Sequence, residues 1–86
     1  MDMKNKKVLV FGSGISGIGA GKLLEQVGAS VVLYDGKETL DKEVLKAQLG
    51  DDTKAEIILG ELSEEVMETL DLVVMSPGVL QTFRLS

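Results

Sequence analysis

The clearest chemical signal in the sequence is a glycine-rich segment that directly follows a short apolar run. The run is Val8–Phe11, and Gly12–Gly17 after it reads G-S-G-I-S-G. In such a segment Gly12 permits a tight turn, Gly14 lets a phosphate approach the backbone, and Gly17 lets the next helix pack closely. The first amides of that helix have no partner within it and carry partial positive charge. The segment therefore predicts a diphosphate site, and the alternative is a glycine-rich turn that binds nothing.

Two further apolar runs end in residues that could serve a nucleotide. Asp35 closes the run Ala29–Asp35 and follows Gly17 by eighteen positions, close to the spacing at which nucleotide-binding βαβ units place an acidic residue. Ser76–Gly78, with the sequence S-P-G, ends the run Leu72–Met75 abruptly. We expect both ends to lie near the glycine segment, because parallel strands finish at the same edge of a sheet.

Alternating strand and helix patterns supply the elements that position these residues. The runs typical of buried strands are Val8–Phe11, Ala29–Asp35, Ala55–Leu59 and Leu72–Met75. Helical spacing predicts a helix from Ile15 to about Gly28, a second through Leu40–Leu49, and a short third capped by Ser63. The pattern predicts an α/β fold, a Rossmann-like parallel sheet in the order 3-2-1-4 with helices on both faces.

Glycines interrupt the apolar pattern of the first helix. Gly19 and Gly21 fall inside it, where each costs about 1 kcal/mol relative to alanine. Close approach to the sheet or to a ligand would account for them, and tolerated drift is the alternative. The apolar residues that mark this helix are Ile15, Ile18, Leu23, Leu24 and Val27, and those expected to face inward in the third helix are Val66, Met67 and Leu70.

The composition limits the classes of protein to which the chain can belong. The 86 residues suffice for one small domain, 1–86, and an apolar fraction of 44% is ordinary for a globular chain. The net charge of −5 argues against nucleic acid or an anionic membrane as a partner. The lack of cysteine and histidine excludes disulfides, thiol nucleophiles, zinc sites and imidazole bases. We expect no metal site, no membrane span and a cytoplasmic location.

Three segments together resemble the amino-terminal domain of the Mur ligases. They are K-K-V-L-V-F-G-S-G-I-S-G from Lys6, G-A-S-V-V-L-Y-D ending at Asp35, and L-D-L-V-V-M-S-P-G-V ending at Val79. Mur ligases are ATP-dependent enzymes of bacterial peptidoglycan synthesis, and the resemblance is greatest to the members that add D-glutamate. It covers Lys6 to about Val79, and it implies a domain that holds the UDP part of a sugar-nucleotide substrate.

The resemblance also implies a role for each part of the site. Ser13–Gly17 would lie along the diphosphate, Asp35 with the amide of Gly36 would meet the uracil, and Ser76–Gly78 would close the diphosphate side. Gly36 stands where the family often has a hydroxyl residue, which puts one uracil hydrogen bond in doubt. The UDP-binding residues implied in this way are Ser13, Gly14, Ile15, Ser16, Gly17, Asp35, Gly36, Ser76, Pro77 and Gly78.

Other parts of the Mur ligase pattern do not occur in this sequence. The ATP-binding lysine loop, the magnesium carboxylates, a carbamylated lysine and the D-glutamate-binding domain are absent, as are a further helix and fifth strand after the S-P-G turn. We therefore expect a truncated domain that binds UDP without catalysis and without the ATP and magnesium that the family uses. Leu72–Met75 would then be an exposed sheet edge, so we expect self-association in which Val79–Ser86 could take part.

Two other functions fit the same residues. The glycine segment and Asp35 would serve equally well in an NAD(P)-binding fragment of an oxidoreductase, where the carboxylate takes the ribose hydroxyls. A remnant that keeps the fold and binds nothing is the third interpretation. The S-P-G turn and the family resemblance favour UDP over NAD.

Overall fold

The sheet has four parallel strands in the order β3-β2-β1-β4. The structure is a computed structural model, and it describes residues 3–75. In chain order the elements are β1 (Lys7–Phe11), α1 (Ile15–Gln26), β2 (Ser30–Asp35), α2 (Lys42–Leu49), β3 (Glu56–Leu59), α3 (Glu64–Glu68) and β4 (Leu72–Met75). The Rossmann-like α/β fold and the strand order predicted from the sequence are confirmed.

β1 lies at the centre of the sheet, between β2 and β4. Phe11, the last residue of β1, stands opposite Tyr34 of β2 and Met75 of β4. Asp35, the last residue of β2, stands opposite Leu59, the last residue of β3. The four strands therefore end together, and we call this side of the sheet the carboxyl edge. In parallel α/β sheets ligands bind at this edge, close to the point where the strand order reverses.

Both faces of the central strands are buried. Val8, Leu9 and Val10 are at most 2% exposed, which fits apolar runs that are covered on two sides. With right-handed crossovers, α1 and α2 cover one face, and the return from β3 to β4 places α3 on the other. The core beneath α1 and α2 consists of Val10, Ile18, Val31, Leu33, Leu45, Leu49, Ala55 and Ile57.

The first helix packs mainly through glycine. The buried residues of α1 are Gly17, Ile18 and Gly21. A Cβ on Gly21 would lie 3.1 Å from Leu49 Cδ2, so the bare glycine lets α1 lie close to α2. Of the apolar positions that mark this helix, Ile18 alone is buried and Leu24 is half-buried, whereas the exposed ones are Ile15, Leu23 and Val27.

Side chains cap the two shorter helices. Asp41 accepts a hydrogen bond from the Glu43 amide at 2.9 Å, and Ser63 accepts one from the Val66 amide at 3.2 Å, which confirms the predicted Ser63 cap. The prediction that Met67 faces inward is wrong, because Met67 is 55% exposed in a helix of little more than one turn. Val66 is half-buried, as is Leu70, which lies just after the end of α3. In residues 3–75 no helix is long and apolar enough to cross a bilayer.

Candidate functional site

The glycine loop, Gly12–Gly17, leads the chain from β1 into α1 at the carboxyl edge. Gly12 has a φ of +107°, which favours glycine, and its amide donates to the Tyr34 carbonyl at 2.7 Å. A Cβ on Gly17 would lie 1.9 Å from the Gly12 carbonyl oxygen, so no side chain fits there. A Cβ on Gly14 would have no such neighbour within 4 Å among the described residues. The loop therefore combines a tight turn, an open backbone at Gly14 and close helix packing.

The amino end of α1 is open. Gly14 is the N-cap residue, and no side chain in the described part of the chain caps this helix. The Gly14 carbonyl accepts the first helical hydrogen bond from the Ile18 amide at 2.9 Å. Ile15 is 93% exposed and Ser16 is also exposed. First-turn amides have no partner inside a helix and carry partial positive charge, so this end of α1 suits an anion.

Asp35 joins the end of β2 to the glycine loop. Its Oδ2 accepts a hydrogen bond from the Ser13 amide at 3.0 Å and a second from the Ser13 hydroxyl at 2.7 Å. Its Oδ1 accepts a hydrogen bond from the Lys37 amide at 3.0 Å. Two of the residues predicted to bind a ligand are therefore in direct contact, although 22 positions separate them in the sequence.

The contacts leave Asp35 little capacity for a ligand. A carboxylate offers about four acceptor positions, two on each oxygen. Ser13 occupies two of them on Oδ2, and Lys37 occupies one on Oδ1. Counting the donors within residues 3–75, a single acceptor position is left on Oδ1.

The same hydrogen bonds keep Asp35 ionised. The Ser13 hydroxyl is the largest influence, and it lowers the pKa of the Asp35 carboxyl below its usual range. Partial burial acts in the opposite direction, whereas the Lys37 amide, the Ser13 amide and the Lys37 charge lower the pKa further. At neutral pH the Asp35 side chain is therefore an acceptor and not a donor.

Two residues that the sequence analysis did not single out fix the neighbouring strand ends. The Tyr34 hydroxyl donates to the Gly60 carbonyl, and the Gly60 amide donates to the Asp35 carbonyl at 2.8 Å. The Tyr34 ring also packs against Phe11, with ring centroids 5.3 Å apart. Their positions in the sequence could have indicated both residues, because Tyr34 directly precedes Asp35 and Gly60 directly follows β3, so that both fall at the carboxyl edge.

The predicted site residues not yet described are Gly36 and Ser76–Gly78. Gly36 is exposed beside Asp35, and the Lys37 amide, one position further on, makes the hydrogen bond to the carboxylate. Ser76–Gly78 lie outside the described residues. Their expected position next to Gly12–Gly17 stays a prediction, as does the part taken by Val79–Ser86.

Two cavities contrast in position and chemistry. One of about 300 Å³ adjoins the glycine loop and is lined by Ser13, Gly14, Ile15, Ile18 and Gln48. A larger one of about 590 Å³ includes Glu25, Thr53 and Lys54 and lies toward the opposite edge of the sheet. There the Glu25 carboxylate already accepts from the Thr53 hydroxyl at 2.5 Å and the Lys54 amide at 2.9 Å. Three of the predicted site residues, Ser13, Gly14 and Ile15, line the smaller cavity, whereas Asp35 does not.

Strand order, glycine loop and the acidic end of β2 define the class of protein as a Rossmann-like α/β domain. Residues 6–84 match the family described as Mur ligase MurD-like, N-terminal domain. The chain belongs to this family.

Curated relatives share the same segment. The UDP-N-acetylmuramoylalanine–D-glutamate ligases of Lachnospira eligens and Lachnoclostridium phytofermentans are 56% and 52% identical over 79 residues, which are 92% of this chain and 17% of each relative. The ligase of the same name from Thermoanaerobacter pseudethanolicus is 43% identical over 81 residues, at the same coverage of both chains. This chain thus spans 17% of the length of these relatives. No solved structure matches it.

Proposed function

We propose that this chain is the UDP-binding domain of a UDP-N-acetylmuramoylalanine–D-glutamate ligase of peptidoglycan synthesis. Membership of the MurD-like N-terminal family and relatives that carry this enzyme name support the proposal. The substrate would be UDP-N-acetylmuramoyl-L-alanine, held by its UDP part. ATP- and magnesium-dependent activation of the alanyl carboxylate, followed by attack of the D-glutamate amine, would belong to the rest of such an enzyme, and the 86-residue chain alone would bind without catalysis.

The contact between Ser13 and Asp35 is the main structural support for the proposal. It brings an open, glycine-rich helix start and an ionised carboxylate together at the carboxyl edge. A nucleoside diphosphate carries its anionic and its base-pairing groups at opposite ends. A site with backbone amides on one side and a fixed acceptor on the other suits both ends at once.

Within this proposal each part of the site has a defined task. The diphosphate lies against the amides that open α1, where Gly14 leaves the backbone accessible. The uracil N3–H donates to Asp35, and the Gly36 amide donates to a uracil carbonyl. Ser76–Gly78 would close the diphosphate side. The net charge of −5 means that these local amides, and not the field of the whole protein, hold the anion.

The acceptor count favours UDP over NAD. A ribose presents two neighbouring hydroxyls, and a carboxylate that takes both needs two acceptor positions. Among the described residues, the hydrogen bonds from Ser13 and Lys37 leave Asp35 with one acceptor position. One position matches the single N3–H of uracil.

Amide NMR spectra of the ¹⁵N-labelled chain, titrated separately with UDP and NADH, test the proposal. We expect UDP to shift the amides of Gly12–Gly17 and Gly36 in a saturable manner and NADH to act more weakly. Amides of residues 50–54, toward the opposite edge, serve as the internal control and should not move.

Other outcomes would replace the proposal. Saturable shifts with NADH and none with UDP would assign the site to a nicotinamide nucleotide. Unchanged spectra with both ligands would indicate a domain that keeps the fold and binds neither.

A further inference from the structure

Both hydrogen-bond donors of Ser13 are engaged within the protein. A serine offers one amide N–H and one hydroxyl O–H. Both point to Asp35 Oδ2, at 3.0 Å and 2.7 Å. A phosphate oxygen only accepts hydrogen bonds, so Ser13 can serve it only by breaking a contact with an ionised carboxylate. Bonds of that kind are about twice as strong as bonds between neutral groups.

The same two contacts fix the orientation of the carboxylate. The amide and the hydroxyl of Ser13 hold Asp35 Oδ2 from the glycine loop. The Lys37 amide holds Oδ1 from the segment that follows β2. Lys37 also contributes the nearby positive charge. Without the Ser13 hydroxyl, Oδ2 would keep only the Ser13 amide, and the side chain would lose its shortest contact.

We propose that Ser13 is a positioning residue that acts through Asp35, directing one acceptor position to the base of the nucleotide and taking no part in holding the phosphates. The inference rests on the proposed function, and it assigns Ser13 a role different from the one that the family resemblance implies. The diphosphate is then held from Gly14 onward. Base recognition and the glycine loop form one unit, joined at Ser13.

Two substitutions at position 13 separate the hydroxyl from the rest of the residue. Ser13→Ala removes the hydroxyl and keeps the amide, whereas Ser13→Thr keeps both donors. In residues 3–75, Asn5 is the one non-glycine residue with positive φ, so Ser13 has a backbone that threonine tolerates. For the titration of Asp35 alone, Ser16→Ala is the matched control, because it removes the other serine hydroxyl of the loop and has no contact with Asp35 among the described hydrogen bonds.

The positioning role of Ser13 is tested by the binding of UDP and of inorganic pyrophosphate to the unmodified chain, Ser13→Ala and Ser13→Thr, measured by calorimetry or NMR. For Ser13→Ala we expect UDP affinity to fall about three- to tenfold, the range for one lost charge-assisted contact that acts indirectly. Pyrophosphate affinity should stay within about twofold of the unmodified chain, and Ser13→Thr should restore most of the UDP affinity. An equal loss for pyrophosphate and UDP would overturn the proposal and make Ser13 a phosphate donor.

A ligand-free measurement keeps the inference separate from the proposed function. The titration of the Asp35 carboxyl, followed by ¹³C NMR, should move to higher pH in Ser13→Ala, because the contact that most lowers the pKa of Asp35 is lost. It should return in Ser13→Thr and stay unchanged in Ser16→Ala. An unchanged titration in Ser13→Ala would overturn the positioning role. If the unmodified chain bound neither UDP nor pyrophosphate, the proposed function would fail, and this titration would still decide whether Ser13 holds Asp35.

Discussion

Gly14 and Gly17 belong to one loop but differ in what surrounds them. A side chain on Gly17 would enter the space of the Gly12 carbonyl, whereas one on Gly14 would extend into open space. One glycine therefore serves the fold, and the other leaves room for a ligand. Substitutions at the two positions should affect different properties of the protein.

Gly17→Ala is expected to lower the free energy of unfolding by about 1–3 kcal/mol, because the loop backbone must shift to admit the Cβ. Gly14→Val is expected to lower it by only about 1 kcal/mol, since the site is open and extended and the cost is the poorer preference of valine for an N-cap position. UDP affinity should nevertheless fall at least about tenfold in Gly14→Val, which blocks the approach of the diphosphate. Urea unfolding and UDP titration of both variants measure the two effects. A folded Gly14→Val chain with unchanged UDP affinity would mean that the loop is only a turn.

Asp35 should also make stability depend on pH. Its pKa is lowered in the folded chain, first by the Ser13 hydroxyl, and the unfolded chain lacks these contacts. Such a carboxylate stabilises the fold above its unfolded pKa, near 4, and the contribution is lost as the pH falls through the lower folded pKa. In Asp35→Asn the free energy of unfolding should therefore decline less steeply below about pH 5. Urea unfolding measured across this pH range tests the expectation, with Asp51→Asn as the control because Asp51 is exposed. If the free energy of unfolding fell equally steeply with decreasing pH in both variants, Asp35 would not be the source of the pH dependence.

The helix α1 contains several glycines and still packs well. Gly21 lies against Leu49 of α2 and Val31 of β2, at 3.1 and 3.7 Å from a built Cβ. A Cβ on Gly19 would meet nothing within 4 Å in the described part of the chain. Close packing thus accounts for Gly21 and leaves Gly19 without a structural reason.

Gly19→Ala is expected to stabilise the chain by about 0.5–1 kcal/mol, which is the usual helix preference of alanine over glycine. The melting temperature should rise by about 2–8 °C for a domain of this size. Gly21→Ala gains the same preference but crowds Leu49, so it should be clearly less stable than Gly19→Ala. Thermal unfolding of the pair provides the test. Equal melting temperatures would show that the contact with Leu49 relaxes without cost.

β4 is an edge strand within the described residues, because it pairs with β1 on one side only. Val73 is 55% exposed and Met75 is 39% exposed. Open edges template pairing with another chain, and a lysine on the edge opposes it. We expect concentration-dependent self-association in sedimentation velocity, reduced by Val73→Lys. Val44→Lys is the matched control, since Val44 is 51% exposed on α2, and a strict monomer at high concentration would contradict the expectation.

The positions and the order of the strands could be predicted from the sequence because they depend on general constraints. Runs such as Val8–Val10 are buried on both faces, and right-handed crossovers leave few orders for four parallel strands. The Ser13–Asp35 contact could not be predicted in this way, because it depends on the path of the loop backbone to within about an ångström. The inward-facing side of a short helix such as α3 likewise escaped prediction, since one turn carries almost no periodicity.

In the proposed site, Asp35 recognises uracil and distinguishes it from cytosine. An ionised carboxylate only accepts hydrogen bonds, so it suits the N3–H of uracil and opposes the N3 lone pair of cytosine. A charge-assisted hydrogen bond contributes about 1.5–3 kcal/mol, and about 1.4 kcal/mol corresponds to a tenfold change in affinity. The competing view is that Asp35 only ends β2 and that nucleotides bind through their phosphates alone.

The decisive measurement is the affinity of the unmodified chain for UDP and for CDP under the same conditions, repeated with Asp35→Asn. We predict that UDP binds the unmodified chain at least about tenfold more tightly than CDP. The gap should narrow in Asp35→Asn, because a carboxamide can turn and donate to cytosine. Equal affinities of the unmodified chain for UDP and CDP would show that Asp35 does not recognise uracil.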